Sequence, residues 1–154
     1  MEIWLLTHSE ELKKESGTGK LVKEILTDQC HIIIWARKEP NQDLLALDPL
    51  NTAIVYLKSP TSLSLEKEEV CHLQNIIILD GTWQQARKMY NQSPYLARFP
   101  HYEIQGESSA YTKRRNQKEA GLCTAEVAIH LLKEANDLQT KKLQARFTDF
   151  NLSP

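Results

Sequence analysis

One carboxylate stands where chemistry is easily built. Asp80 follows the apolar run Ile76-Ile-Ile-Leu79 and precedes Gly81-Thr82-Trp83. The run reads as a short strand buried on both faces. Trp83, Ala86 and Tyr90 then recur at helical spacing. A carboxylate and a hydroxyl are thus expected at the carboxyl end of a central strand, against a helix N-terminus. In open α/β sheets that edge is where ligands bind. Either Asp80 or Thr82 can cap the helix, and capping is the ordinary role of such residues. Trp83 has the spacing of a core residue as much as that of one shaping a site.

A second candidate is the polar stretch Gly106 to Gly121. It carries neither helical nor strand period, and loops of this length inside a compact domain are often functional. Within it Lys113, Arg114, Arg115 and Lys118 lie beside Tyr111. Cations next to an aromatic suit phosphate contact with base stacking, although such runs are more often a solvated loop. Other chemistries lack their residues. His8 and Ser9 have no G-x-S-x-G elbow to expose a nucleophile. Ser16-Gly-Thr-Gly-Lys20 can turn backbone N–H groups toward an anion but lacks the full P-loop pattern, and no H-E-x-x-H or G-x-G-x-x-G occurs. Cys30, Cys71 and Cys123 are too scattered for a zinc site or a disulfide framework; no metal is expected. What remains suits a group transfer in which substrates are held in place and at most one proton is removed.

The elements that must position these groups follow from periodicity. The chain has 154 residues, 41% hydrophobic and 25% charged, with a formal net charge of -1. That suits one domain with one sizeable core, and any polyanion must find a local basic patch. Strands are expected at Glu2–Thr7, His31–Ala36, Ala53–Leu57, Ile76–Leu79 and Tyr102–Gln105. Helices are expected after Gly19, over Ser62–Cys71 with Leu63, Leu65 and Val70 inward, after Thr82, and after a Thr124 cap. The last has Ala128, Leu131, Leu132, Ala135 and Leu138 as its apolar face. From Gln139 to Pro154 the chain is basic and weakly patterned, and reads as a frayed end. Continuous apolar strands alternating with amphipathic helices predict an α/β fold, a mostly parallel sheet with helices on both faces. No run suits a membrane span, and Met1 to Thr7 reads as a strand, not a signal peptide. A cytoplasmic monomer is the expectation.

The motifs together resemble a known family. Asp80-Gly-Thr-Trp83 with Gln84-Gln-Ala-Arg-Lys-Met89 resembles the signature of the DTW-domain family. Thr7-His8 with Glu10 resembles its first-strand motif, and Thr18-Gly-Lys20 its T-G-[RK] turn. Leu57-Lys-Ser-Pro60 stands where the family usually reads L-Y-P. Ser109-Ala-Tyr-Thr-Lys-Arg114 resembles S-x-Y-x-x-R, and Thr124-Ala-Glu126 resembles T-x-E. The matches run in order from residue 7 to about residue 128. Two features depart from the family's pattern: this sequence has no cysteine cluster of the kind relatives carry N-terminally, and Tyr is missing from the L-Y-P position.

The resemblance implies a single DTW domain over 1–154, SPOUT-like and knotted. It also implies tRNA-uridine aminocarboxypropyltransferase activity. The 3-amino-3-carboxypropyl group of S-adenosylmethionine, a co-substrate, would pass to N3 of a tRNA uridine, leaving methylthioadenosine. By the same resemblance Asp80, Thr82 and Trp83 are the catalytic candidates. The donor would lie among Leu57, Ser59, Pro60, Leu79, Gly81, Leu122, Thr124 and Glu126. His8, Lys20, Tyr111, Lys113, Arg114 and Arg115 would face tRNA, with Arg114 and Tyr111 equally suited to the donor carboxylate. The alternatives are a SPOUT-type RNA methyltransferase, whose product would be S-adenosylhomocysteine, and a non-catalytic RNA- or nucleotide-binding module. A hydrolase is the weakest.

Overall fold

The computed structural model describes residues 1–113 and 121–154. Five strands form one parallel sheet: β1 (Glu2–Thr7), β2 (Cys30–Ile34), β3 (Thr52–Val55), β4 (Asn75–Asp80) and β5 (His101–Tyr102), in the order β2-β1-β4-β3-β5. The helices are α1 (Gly19–Leu26), α2 (Gln42–Leu45), α3 (Lys67–Val70), α4 (Trp83–Asn91), α5 (Thr124–Glu134) and α6 (Thr140–Leu152). This is the expected α/β architecture.

Strand alternation divides the core in two. Ile3, Leu5, Ala53, Ile76 and Ile78 point to one face, where α1, α5 and α6 cover them with Leu21, Val22, Ala128, Leu131, Leu143 and Phe147. Leu6, Ile54, Ile77 and Leu79 point to the other, against Leu44 of α2, Met89 of α4, Leu96 and Phe99. All six residues of β4 are buried. Each large apolar side chain so placed contributes roughly 1.5–3 kcal/mol. The same alternation matters for the site. Thr7 continues the period of Ile3 and Leu5, and Asp80 that of Ile76 and Ile78. The two are directly paired in register, so both side chains point toward α1 and α5.

Four expectations are corrected. Gln139 to Pro154 is not frayed: Thr140–Leu152 is α6, and it buries Leu143 and Phe147. Leu138, expected on an inner face, is 94% exposed because the chain turns between α5 and α6 there. Ser62–Cys71 is helical only over Lys67–Val70, and Leu63 is exposed. The second strand is not buried on both faces: β2 closes the sheet at one end, and Ile32 and Ile34 are exposed.

Candidate active site

Asp80 is 4% exposed, and both its oxygens are engaged. Thr124 Oγ1 donates to Oδ1 at 2.7 Å, and Thr7 Oγ1 donates to Oδ2 at 3.1 Å. Burial pushes the Asp80 carboxyl above its ordinary value. The Thr124 hydrogen bond opposes that, the nearby Glu11 charge adds to it, and the Thr7 bond and Lys14 work against it. The first turns of α1 and α5 both meet this carboxylate, and their positive ends moderate the cost of a buried charge. They are stitched to each other as well: the Ala125 N–H donates to Thr18 Oγ1 at 3.0 Å. Gly19 makes the approach possible. A Cβ built on it would stand 2.4 Å from Asp80 Oδ2.

The carboxylate lines a small cleft of about 80 Å³ with Thr7, Glu11, Lys14, Gly19 and Lys20. A second, larger hollow of about 200 Å³ lies at the carboxyl end of β3. Val55, Tyr56, Leu57, Ala86, Ile104, Leu122 and Val127 give it apolar walls, and Trp83, Arg87 and Glu103 complete it. The corner from β4 to α4 separates the two, with Asp80 on one side and Trp83 on the other.

Of the expected donor-site residues, two line the larger hollow and none lines the cleft. Leu57 and Leu122 line the larger hollow together with Trp83. Leu79 points to the opposite sheet face, among Leu44 and Met89. Ser59 Oγ engages Thr61 on the rim, at 3.1 Å, and Pro60 follows it in the same turn. Gly81 packs under Gln85, whose Oε1 would lie 2.9 Å from a Cβ there. Thr82 is the cap of α4: its Oγ1 accepts the Gln85 N–H at 3.1 Å, and Gln85 Oε1 accepts the Thr82 N–H at 2.9 Å. Thr124 is not a cap. Cys123 holds that position, and the Thr124 hydroxyl is directed to Asp80 instead. Trp83 is no core residue either. It is 56% exposed, with Arg87 over its ring at 5.6 Å.

Glu126 clamps its own loop. It accepts from Ser109 Oγ at 2.5 Å, from the Ala110 N–H at 2.8 Å and from the Cys123 N–H at 3.0 Å. Burial works to raise its pKa, but these donors outweigh it and hold the carboxyl below its ordinary value. Glu126→Gln is therefore expected to loosen 108–112 without unfolding the sheet, because an amide cannot accept at both ends. Hydrogen exchange at Ala110 and Cys123 should accelerate while exchange in β4 stays put. An unchanged Ala110 amide would show that the clamp carries no weight.

Three of the expected RNA-facing residues, Lys20, Tyr111 and Lys113, meet at the Phe150 ring, and Lys20 also lines the cleft. Lys20 donates to the Glu15 carbonyl at 2.5 Å and lies 5.1 Å over the Phe150 ring. Lys113 donates to the Ser153 carbonyl and lies 5.8 Å over the same ring. The Tyr111 hydroxyl donates to the Ser16 carbonyl, and its ring stacks on Phe150. Among the described residues neither ammonium is paired with a carboxylate; Arg146, also over Phe150, is held by Glu24 at 2.6 Å. His8 is engaged within its own turn, where its Nδ1 accepts from the Glu10 N–H and its ring stacks on Trp35. Arg114 and Arg115 lie outside the described residues. Sequence reasoning missed Arg87, Glu103 and Phe150. Arg87 was within reach, since it follows Trp83 by one helical turn and shares its face.

A parallel α/β domain with two hollows at the carboxyl rim of its sheet, one lined by charged residues of both signs and one mostly apolar, has the form of a ligand-binding α/β protein. A model of the DTW domain matches residues 1–152, and the chain belongs to that family. Over 140 residues it is 29% identical to tRNA-uridine aminocarboxypropyltransferase 2 of Drosophila melanogaster, a match covering 85% of this chain and 55% of that protein. The chain thus spans about half the length of that curated relative. No solved structure matches it. Among the described residues no group of His, Cys, Asp and Glu could hold a metal ion, and no helix is long and apolar enough to cross a membrane.

Proposed function

We propose that this chain transfers the 3-amino-3-carboxypropyl group of S-adenosylmethionine to N3 of a tRNA uridine. The observation that carries the reading is the larger hollow. Its apolar walls suit an adenosyl group, and two opposite charges, Arg87 and Glu103, stand at its edge. The transferred group is itself a zwitterion, with one carboxylate and one ammonium. Arg87 matches the first and Glu103 the second. Family membership and the name of the relative supply the reaction class.

In this reading the acceptor base enters from the cleft side, where Lys20, Lys113 and Tyr111 offer cations and an aromatic to the RNA. The uridine N3 proton passes to Asp80, the N3–carbon bond forms, and the carbon–sulfur bond of the sulfonium breaks, releasing methylthioadenosine. A carboxyl with a raised pKa suits that proton transfer better than an ordinary one. Trp83 stands in the wall of the donor hollow.

Incubation with bulk tRNA and donor labelled in the aminocarboxypropyl chain tests the proposal, with nucleoside mass analysis as the readout. Labelled uridine together with methylthioadenosine is the expected result. S-adenosylhomocysteine instead would make the chain a methyltransferase, and donor binding without any product would make it a binding module. Arg87→Ala should weaken donor binding by roughly 1.5–3 kcal/mol, the worth of a charge-assisted hydrogen bond, as read by calorimetry. Unchanged affinity would remove Arg87 from the donor site.

A further inference from the structure

Behind the wall of the larger hollow stands a buried histidine. His101 of β5 is 1% exposed and does not itself line the hollow. Both its ring nitrogens are engaged: Nδ1 meets the Leu57 carbonyl at 2.9 Å, and Nε2 meets the Tyr90 hydroxyl at 2.7 Å. A carbonyl oxygen only accepts, so Nδ1 carries the proton and donates. In the neutral ring Nε2 is then an acceptor, and Tyr90 donates to it. Tyr90 lies on the face of α4 that also carries Trp83 and Arg87. Its ring stacks on Tyr56 at 4.2 Å, and His101 meets both rings edge-on. One side chain therefore touches α4 and the chain leaving β3 from its seat on β5, and all three stretches wall the hollow.

Glu103, two residues further on, completes the arrangement. Its Oε1 accepts the Lys58 N–H at 2.8 Å. The Leu57 carbonyl and the Lys58 N–H are the two ends of one peptide unit, and in a trans peptide they point opposite ways. His101 and Glu103 grip that peptide from both sides. The Lys58 N–H is also the largest of the causes that hold the Glu103 carboxyl below its ordinary value, ahead of Gln105. One residue earlier, the Tyr56 N–H donates to the Tyr102 carbonyl at 3.0 Å. With both polar groups of the 57–58 peptide taken, what Leu57 gives to the hollow is its side chain, 52% exposed.

We propose that His101 is a positioning residue for donor binding: through its Nδ1 bond it fixes the Leu57–Lys58 peptide, so that Leu57 stands ready as an apolar wall for the adenosyl group. The inference rests on the donor site of the proposed transferase and adds to it a residue that touches no ligand. A loose exit from β3 would have to be ordered when the donor binds, at a cost in conformational entropy. A wall already held avoids that cost, so its benefit falls on affinity rather than on the chemical step. Glu103 can serve the peptide and the donor together. A carboxylate has about four lone-pair sites, and Lys58 and Gln105 use one on each oxygen. The others remain for the ammonium of the donor.

His101→Asn and His101→Gln separate the two bonds. Asparagine puts its amide where Nδ1 stands and keeps the Leu57 bond. Glutamine puts its amide where Nε2 stands and keeps only the Tyr90 bond. The test is calorimetric titration of each variant with S-adenosylmethionine, read beside hydrogen exchange at the Lys58 amide and single-turnover transfer to bulk tRNA at saturating donor. His101→Gln should bind the donor roughly three- to tenfold more weakly, the worth of one neutral hydrogen bond, with faster Lys58 exchange and an unchanged saturated rate. His101→Asn should bring affinity and exchange back to near wild type. Tyr90→Phe loses the same bond as His101→Asn and should also keep donor affinity; these two variants carry the test should His101→Gln not fold. Wild-type affinity in His101→Gln, equal losses in the two histidine variants, or a loss in Tyr90→Phe would each overturn the proposal. A wild-type chain that binds no S-adenosylmethionine is a different failure: it removes the donor site itself, and this inference with it.

Discussion

Asp80→Asn is expected to lower transfer turnover by roughly 10²–10⁴-fold, the usual contribution of a positioned base, with the fold retained. Asparagine has the same shape, so Thr124 and Thr7 keep a partner in place. What is lost is the capacity to take a proton. The pH behaviour separates this from a general loosening of the site. Burial raises the Asp80 pKa in the folded chain, so the folded state keeps that proton to higher pH than the unfolded one. The stability contributed by this group is full below the ordinary carboxylate value and is lost as pH rises through the raised one. Wild type should therefore lose stability across that window, and Asp80→Asn should not. Turnover should run the opposite way, rising over the same window as the base ionises, and the variant should lack that limb. Urea midpoints and single-turnover rates at several pH values measure both. Turnover within a few-fold of wild type would exclude Asp80 as the base, and a variant that keeps the wild-type stability slope would mean that another group titrates there.

How much of this could be read beforehand differs by element. β1 is found over Glu2–Thr7 as expected, and β4 has the continuous apolar run of a strand covered on both sides. β2 has a similar run but sits at the end of the sheet, because strand order is set by crossovers that leave no periodic trace. α6 was hidden for another reason. Its inward stripe is only Leu143, Phe147 and Phe150, one residue per turn, among lysines and polar groups that dominate any local average. That helix nevertheless seats the lysines beside the cleft. Within the site, Asp80 and Thr124 were each legible, but their 2.7 Å contact depends on α5 returning to the strand end from more than forty positions away. Arg87 and Glu103 lie on α4 and just past β5, and only the folded sheet brings them to one rim. Asp80 itself does not open into the hollow that Trp83 lines, so the acid and the apolar site are neighbours rather than one cavity.

The most demanding test of that geometry is Gly19→Ala, for which a loss of about 2–4 kcal/mol is expected. In an exposed helix the change would be favourable by up to about 1 kcal/mol, so a loss here reverses the ordinary sign. The cause is the 2.4 Å approach to Asp80 Oδ2, far inside van der Waals contact. A flexible side chain would swing aside, but this carboxylate is tied by Thr7 on one oxygen and Thr124 on the other. Moving it breaks at least one hydrogen bond to a charged acceptor, worth roughly 1.5–3 kcal/mol. Moving α1 instead strains the Thr18–Ala125 link and the packing of Leu21 and Val22, and overpacking of that kind costs about 1–3 kcal/mol. Either route displaces the proposed base, so turnover should fall with stability. Gly19→Ala combined with Asp80→Ala should then recover much of the loss relative to Asp80→Ala alone, because the added methyl group would occupy the space the carboxylate leaves. A double-mutant cycle on denaturant midpoints reads that coupling directly. Simple additivity of the two substitutions would mean that Gly19 and Asp80 do not touch.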